Sequence, residues 1–583
     1  MTQQKHPGHK KFRANTCADA SAKRADEAAH RSVGVPPASS ESGQDARAPG
    51  NLHFSEMRPT CAAIIGMICL MLAAPASAAT KQSDRPIVAT ASGKVEGIQT
   101  KNGVLAFLGI PFGQPPKGNL RFAPPVEVKP WEGVRDATKS GPAAPQPADA
   151  SDPASQYAQD EDCLNLDIWT PGIDGRKRPV LVFIHGGAFM VDRSGNPVYD
   201  GANISKRGDI VFASINYRLG ALGFLYLEDF GAEYQGSGSN GIRDQVMALR
   251  WVKNSIAKFG GDPENITIMG ESAGAMSVCL LMGLPQAKGL FQRAIAQSGS
   301  TNWCRTRKEA TEITKQFMEL AGVTDVAGLR KLTPQQLIEA QGRQQDQLGK
   351  KSIRMSAPVI DGSVVPKDPL AAIQDGAAKG IALLNGTNHD EYTLFIQFYP
   401  DLQSPLNRLL HDWPWLDEKL GARKQDVLDF YNKRNPTPGP DKSSISSSVA
   451  YLTDAMFLVP HIKASEEQSK HAKVWMYRLD WKANVKNKEY LNACHGLDLP
   501  FLFKSFDTAA GDIVGPNPPM GLSDAMQDAW ISFARTGDPN HKGLPEWPAY
   551  EPAHRATMIF DTKSKVVEDP DPEVRKLFKD IPL

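Results

Sequence analysis

The pentapeptide Gly270-Glu271-Ser272-Ala273-Gly274 follows the strand-like run Ile266–Met269 and precedes a helix-like run that begins at Ala275. A G-x-S-x-G motif in that context is typical of a nucleophile elbow, a turn so tight that it needs a glycine on either side of the serine. The turn predicts that the Ser272 hydroxyl lies at the carboxyl edge of a sheet. There it also meets the N-terminus of a helix, whose dipole favours negative charge.

A second motif, His185-Gly186-Gly187-Ala188-Phe189, ends the apolar run Pro179–Ile184. Small residues let backbone N–H groups come within about 2.7–3.1 Å of a tetrahedral oxyanion. Hydrolases with a serine elbow carry such a segment upstream of it. We therefore predict that the N–H groups of Gly186, Gly187 and Ala273 form an oxyanion hole. The alternative is an ordinary glycine turn after a buried strand, and the elbow makes that alternative the weaker one.

The composition describes a globular chain of 583 residues with 41% hydrophobic residues, 22% charged residues and a net charge of +1. A balanced charge gives no electrostatic reason to expect nucleic acid or an anionic membrane as a partner. The sequence has no zinc-type cysteine pairs, P-loop or dinucleotide fingerprint, so we expect neither a metal nor an organic cofactor. The expected partner is a small-molecule ester; the oligomeric state stays open.

The N-terminal region differs from the rest of the chain. Residues 1–56 are rich in small and charged residues without apolar periodicity, which indicates a disordered or non-native extension. Residues 57–78 have a charged start at Met57, a short apolar run and an A-x-A site, as in a signal peptide cleaved after Ala78. We predict export to the periplasm or the medium; an uncleaved anchor is the alternative. No later segment is apolar enough to span a bilayer.

Residues 79–583 are predicted to form one domain of the α/β class. Predicted strands and helices alternate along it, which favours a mostly parallel sheet with helices on both faces. The predicted strands are Leu164–Trp169, Val180–Ile184, Ile210–Asn216, Ile266–Met269, Arg293–Gln297 and Ile381–Leu384, and a helix is predicted over Asp244–Phe259. Polar helical regions around 305–355 and 399–471 fall outside this rhythm and are predicted to be cap insertions.

A serine nucleophile needs a base, and the base needs an acid, in the chain order Ser, Asp or Glu, His. His495 stands out among the later histidines because it lies in the small-residue loop Ala493-Cys494-His495-Gly496. The acid candidates Asp390 and Glu391 follow a predicted strand, and spacing leaves the choice between them open. Glu271, beside the serine, is interpreted as a buried structural carboxylate.

The chain resembles the type-B carboxylesterase/lipase family, which includes cholinesterases and bacterial para-nitrobenzyl esterases, from about Ile87 to the C-terminal region. The resemblance rests on the two motifs above and on a series of further segments in the family's order. These are Phe107–Phe112, Glu161–Leu166, Asn216–Arg218, Asn240–Gln245, Gln297–Gly299, Pro358–Gly362, Asp390-Glu391, His495-Gly496 and Phe533–Pro539.

The resemblance implies an α/β-hydrolase fold with Ser272 as nucleophile, His495 as base and Glu391 as acid. Three positions depart from the family pattern. Tyr392 stands where glycine usually follows the acid, and Ala188 takes the third position of the glycine motif. Ala144 replaces a cysteine that the family commonly bridges to the one at Cys163.

The predicted function is that of an exported serine carboxylesterase that works through an acyl-enzyme. The alternatives are a lipase or sterol esterase, a specialised xenobiotic-ester hydrolase and, least favoured, a non-catalytic cholinesterase-like binding protein. Four cysteines remain after cleavage: Cys163, Cys279, Cys304 and Cys494. A Cys304–Cys494 bridge and free buried thiols are equally compatible with the sequence.

Overall fold

The computed structural model describes residues 85–147, 157–349, 354–436 and 443–582. The predicted extension 1–56, the signal peptide 57–78 and the first residues after its cleavage site lie outside these ranges. The strands are β1 (Ile87–Thr90), β2 (Gly93–Glu96), β3 (Ile98–Gln99), β4 (Leu105–Pro111), β5 (Val134–Asp136), β6 (Asn165–Thr170), β7 (Arg178–Ile184), β8 (Val211–Ile215), β9 (Gly261–Glu271), β10 (Arg293–Gln297), β11 (Ala382–Asn388), β12 (Val474–Leu479), β13 (Ala556–Phe560) and β14 (Lys565–Glu568).

The α-helices connect and cover these strands. They are α1 (Ala202–Gly208), α2 (Gly220–Phe224), α3 (Asn240–Ser255), α4 (Ala273–Gly283), α5 (Arg307–Ala321), α6 (Val326–Lys331), α7 (Pro334–Leu348), α8 (Pro369–Gln374), α9 (Leu406–Asp412), α10 (Pro414–Leu420), α11 (Lys424–Arg434), α12 (Ser447–Thr453), α13 (Val459–Gln468), α14 (Asp498–Phe503), α15 (Met520–Thr536) and α16 (Pro572–Leu577). No helix within the described ranges is long and apolar enough to cross a membrane.

The main sheet has the strand order β14-β13-β12-β11-β10-β9-β7-β8-β6-β4-β3. The seven strands from β13 to β8 in this order pair in parallel, whereas β14 at one edge and β6, β4 and β3 at the other pair antiparallel. The predicted mostly parallel sheet is therefore confirmed. A small second sheet joins β1, β2 and β5.

Burial on both faces explains why the central strands are continuous apolar runs. Every residue of β7 is buried, and its alternate side chains enter two different cores because successive residues of a strand face opposite sides. Val180, Val182 and Ile184 pack in one core, and Leu181 and Phe183 pack in the other.

The strand register sets the position of the site. Ile184 of β7 pairs with Gly270 of β9, and Glu271 of β9 pairs with Gln297 of β10. Gln297 in turn pairs with Gly386 of β11. The residues that follow these strands therefore emerge along one carboxyl edge of the sheet.

Candidate active site

Ser272 forms the turn between β9 and α4 in a conformation that residues with side chains rarely adopt, with φ 56° and ψ −125°. Its N–H donates to the Gln297 carbonyl at 2.9 Å, and its carbonyl accepts from the Met276 N–H at 3.0 Å. A Cβ on Gly270 would strike the backbone of Gly274, and one on Gly274 would lie against the backbone carbonyls of Ile184 and His185. The two glycines are therefore steric requirements of a strained turn.

Ser272 is partly exposed, although its neighbours Glu271 and Ala273 are buried. Ser272 is therefore in contact with solvent at the start of α4. Every residue of α4 is buried, so the helix is fixed against the sheet. Its N-terminal N–H groups, including that of Ala273, provide a positive dipole end beside the serine.

The segment after β7 passes directly against the serine. A Cβ on Gly186 would lie 2.9 Å from the Ser272 Cβ, so only glycine allows this approach. The Tyr217 hydroxyl donates to the His185 carbonyl at 2.9 Å, and its ring stacks on His185 at 4.5 Å. The C=O and N–H of a trans peptide point in opposite directions, so holding the His185 carbonyl also orients the Gly186 N–H. Gly186 therefore lies beside the serine, and Ala273 follows the serine in the chain. That the N–H groups of Gly186, Gly187 and Ala273 form an oxyanion hole stays a prediction.

Glu391, not Asp390, contacts the predicted base. Glu391 Oε2 lies 2.6 Å from His495 Nδ1, and Glu391 Oε1 accepts the Asn388 N–H at 2.7 Å. Asp390 instead lies 3.1 Å from His389 Nδ1 and accepts the Ala493 N–H at 3.3 Å. The glutamate is fully buried, so the short contact with the imidazole is shielded from solvent.

Tyr392, at the position where the resemblance expected glycine, is accommodated in the core. Its N–H donates to the Thr453 hydroxyl at 3.0 Å, and its ring is buried. The ring packs against Phe395 with centroids 4.7 Å apart. A side chain after the acid therefore adds packing contacts while Glu391 keeps its contact with His495.

Two aromatic rings, which sequence reasoning missed, flank the imidazole of His495. The Phe395 and Phe457 centroids lie 5.4 and 5.0 Å from the ring. Phe457 belongs to a π-helical turn, Asp454–Leu458, between α12 and α13. Such turns are frequent at functional sites but have no simple sequence signature, so only the folded chain reveals this contact.

The second imidazole nitrogen of His495 faces Glu271. Nε2 lies 3.2 Å from Glu271 Oε1, and across the described residues the Ser272 hydroxyl forms no hydrogen bond. Burial raises the pKa of Glu271 to about 8, although the nearby His495 cation opposes the shift. Burial disfavours charge on His495, but Glu271 and Glu391 outweigh it and raise its pKa to about 9. The charge of each group therefore influences the pKa of the other.

A network of buried polar side chains, which the sequence did not predict, contacts the Ser272 turn through Gln297. Gln297, whose carbonyl holds Ser272, donates through Nε2 to Asp498 at 2.6 Å and accepts from the Trp530 indole at 3.0 Å. Tyr477 donates to the same Asp498 carboxylate at 3.1 Å. Burial raises the pKa of Asp498. The network joins β10, β12, α14 and α15 behind the site.

The four cysteines within the described ranges are free thiols. Of the two possibilities that the sequence left open, the Cys304–Cys494 bridge is therefore not formed. Cys163 likewise has no disulfide partner among the described residues. Burial raises the pKa of Cys279 and that of Cys304 to about 12, which suppresses the reactive thiolate.

A parallel sheet with a serine turn at its carboxyl edge defines an α/β-hydrolase. The chain matches the model of the carboxylesterase family over residues 84–576. It is 38% identical over 513 residues to the para-nitrobenzyl esterase of Bacillus subtilis (strain 168), covering 84% of this chain and 98% of that protein. It is 32% identical over 505 residues to the phenmedipham hydrolase of Pseudarthrobacter oxydans, covering 83% and 97%.

Among solved structures, the chain is similar to a carboxylesterase of Geobacillus stearothermophilus with a TM-score of 0.76 and 39% identity. The match covers 85% of this chain and 100% of that one. The chain belongs to the carboxylesterase family. The predicted fold class and the predicted activity, carboxylic ester hydrolysis, are confirmed.

Proposed function

We propose that the protein hydrolyses esters through a Ser272–His495–Glu391 triad and a covalent acyl-enzyme. The observation that carries this proposal is the buried 2.6 Å contact between Glu391 Oε2 and His495 Nδ1 at the sheet edge that also holds the Ser272 turn. A carboxylate at that nitrogen favours the tautomer in which Nδ1 carries the hydrogen and Nε2 carries the lone pair that can accept a proton. Ser272 is the partly exposed nucleophile at the same edge.

In the first half-reaction, Ser272 Oγ bonds to the ester carbonyl carbon and its proton passes to His495 Nε2. The carbonyl oxygen becomes an oxyanion, which accepts hydrogen bonds from the N–H groups of Gly186, Gly187 and Ala273. The C–O bond then breaks, and His495 returns the proton to the departing alcohol. In the second half-reaction, His495 takes a proton from water as the water oxygen bonds to the acyl carbon. The bond between Ser272 Oγ and that carbon then breaks, His495 returns the proton to Ser272 Oγ, and the acid leaves.

The substrate class is tested by a series of p-nitrophenyl esters from acetate to palmitate. Phe395 and Phe457 occupy space beside the base. We expect kcat/KM for the butyrate to exceed that for the palmitate by at least about tenfold, the scale on which a hydrophobic pocket discriminates between substrates by their methylene groups. A maximum at palmitate would favour the lipase alternative. A folded protein inert toward every ester would contradict the catalytic proposal and favour a binding role.

Export is also part of the proposal. It rests on the n-region, the apolar run and the A-x-A site within residues 57–78. We expect the protein recovered from the periplasm or medium to begin at Ala79 on N-terminal sequencing. A cytoplasmic protein that retains residues 57–78 would contradict export.

Glu271 is expected to control the pH dependence of the reaction. Ionised Glu271 stabilises the His495 cation, so it raises the pKa above which the imidazole becomes a free base. Glu271→Gln removes that attraction, and the acid limb of the kcat/KM profile should therefore move to lower pH, by about one to three units for an opposite charge at this range.

The matched control is Glu264→Gln, because Glu264 lies on the same strand with a side chain that is 76% exposed. Its profile should coincide with that of the unmutated protein. An acid limb that stays in place or rises in Glu271→Gln would show that Glu271 does not act on the base.

A further inference from the structure

The loop after the glycine motif is unusually strained. Gly187, Ala188, Phe189 and Asp192 have φ values of 85°, 54°, 61° and 92°. Three of these four residues carry side chains, which make the left-handed region costly. Such a conformation persists only where surrounding contacts determine it.

The loop closes back on the glycine that is to bind the oxyanion. The Met190 and Val191 N–H groups donate to the Gly187 carbonyl at 2.9 and 3.0 Å. A Cβ on Gly187 would lie 2.8 Å from the carbonyl carbon of Val191. The orientation of Gly187 therefore depends on where the chain places Val191 and the next residue, Asp192.

One side chain holds the backbone of Asp192 at both of its polar groups. Gln146 Oε1 accepts the Asp192 N–H at 2.6 Å, and Gln146 Nε2 donates to the Asp192 carbonyl at 2.9 Å. The remaining donor of Gln146 bonds the Ala144 carbonyl at 3.0 Å, and its remaining lone pair accepts from the Tyr157 hydroxyl at 2.8 Å. All four hydrogen-bonding positions of the amide are thus used.

Gln146 is itself buried and held by hydrogen bonds. The residue is 3% exposed, and its own N–H donates to Gln159 Oε1 at 2.9 Å. The Ala143 N–H donates to the Ala158 carbonyl, and the Asp160 N–H donates to the Ala143 carbonyl. These backbone bonds join the segment that carries Gln146 to the one that carries Gln159. Cys163 is a free thiol, so hydrogen bonds hold this region in place of a disulfide.

The side chain of Asp192 has hydrogen-bond partners of its own, separate from Gln146. Oδ2 accepts the Tyr199 hydroxyl at 2.6 Å, and Oδ1 accepts the Asn196 side-chain amide at 2.9 Å. The carboxylate fixes the side chain, whereas Gln146 fixes the peptide groups on both sides of the Asp192 Cα. The two anchors therefore hold different parts of the residue.

We propose that Gln146 is a positioning residue for the oxyanion hole: by holding both backbone polar groups of Asp192, it keeps the strained loop folded so that the Gly187 N–H points at the oxyanion. This inference rests on the proposed function, because it assumes that Gly187 is an oxyanion donor. Gln146 acts through the loop and does not touch the substrate.

The test is Gln146→Met, which keeps the size of the side chain and removes its hydrogen bonds. Removal of one oxyanion donor costs about 10² to 10³ in kcat, so misalignment of one should lower kcat by about 10- to 100-fold. KM should stay within about threefold, because the ground-state carbonyl uses the donor less. Affinity for an aryl trifluoromethyl ketone, which forms an oxyanion on the serine, should fall in parallel with kcat/KM.

A second variant, Gln146→Glu, keeps an acceptor for the Asp192 N–H and loses the donor to its carbonyl. Its kcat should also fall, and it serves if the methionine variant does not fold. The matched control is Gln468→Met, because Gln468 is equally buried and donates to the Ala378 and Ile381 carbonyls at 3.0 and 2.7 Å, before the start of β11. This variant should lower Tm but leave kcat unchanged.

A folded Gln146→Met or Gln146→Glu protein with kcat within about threefold of the unmutated value would overturn the inference, as would a loss carried entirely by KM. Failure of the proposed function has a different signature. Ser272→Ala would then hydrolyse esters like the unmutated protein, whatever the Gln146 variants do.

Discussion

Replacing Ser272 with alanine is expected to lower kcat for p-nitrophenyl butyrate by about 10⁴- to 10⁶-fold, the loss found when a serine hydrolase loses its nucleophile. The elbow and the oxyanion donors remain, because the variant removes only one hydroxyl oxygen from a partly exposed side chain. The folded state should persist, so the same protein should melt at an unchanged Tm.

The control for this variant is Ser277→Ala on the same helix. The Ser277 hydroxyl is buried, donates to the Ala273 carbonyl at 2.9 Å and accepts from Gln245 Nε2 at 3.0 Å, so it lies inside the fold and not at the exposed serine. We expect its kcat to stay within about threefold of the unmutated value, as for a substitution that touches no reacting atom. If Ser272→Ala retained activity like the control, another nucleophile would have to be sought.

Glu391→Gln is expected to lower kcat by about 10³- to 10⁴-fold, because an amide can donate to Nδ1 and stabilise the wrong imidazole tautomer. The size of the residue 391 side chain hardly changes. A loss of activity would therefore indicate that the His495 imidazole has the wrong tautomer. The measurement is kcat for p-nitrophenyl butyrate, with near-ultraviolet circular dichroism to establish that the fold is intact.

Asp390→Asn provides the comparison, since Asp390 is the adjacent carboxylate and lies against His389 instead of His495. Its kcat should stay within about tenfold of the unmutated value, because no group on the imidazole changes. The reverse outcome, an inactive Asp390→Asn and an active Glu391→Gln, would assign the acid to Asp390.

The local parts of this site were predictable from the sequence because their geometry is encoded in neighbouring residues. The serine turn needs glycine at positions 270 and 274, and both contacts that exclude a side chain there are found in the structure. The choice between Asp390 and Glu391 could not be made from spacing. It depends on how the loop after β11 meets the loop that carries His495, more than a hundred residues later.

Strand ends were the less predictable part of the fold. The expected strand Ile381–Leu384 is found as Ala382–Asn388, because the polar residues at its end are buried and paired. Asn385 donates to the His461 carbonyl at 3.0 Å, and Asn388 donates to the Cys494 carbonyl at 2.7 Å. Apolar patterning cannot recognise strand residues whose burial is made possible by hydrogen bonds.

The contacts that support the site, made by Gln146 and Gln297, could not be predicted from the sequence for a related reason. Gln146 and Asp192 are 46 residues apart, and Gln297 and Asp498 are 201 residues apart. No periodicity connects such pairs, and a lone glutamine in a loop has no sequence signature. Only the strand order, which brings the loops to one edge of the sheet, reveals them.

The most direct test of the account is to trap the acyl-enzyme. The protein is mixed with a p-nitrophenyl ester of a slowly hydrolysed acyl group, quenched in acid within milliseconds, digested and analysed by mass spectrometry. We predict one acyl group per chain, located on Ser272 and lost on longer incubation, with Ser272→Ala unlabelled. A protein that turns the ester over with no acylated peptide, or with the acyl group on another residue, would contradict the proposed mechanism.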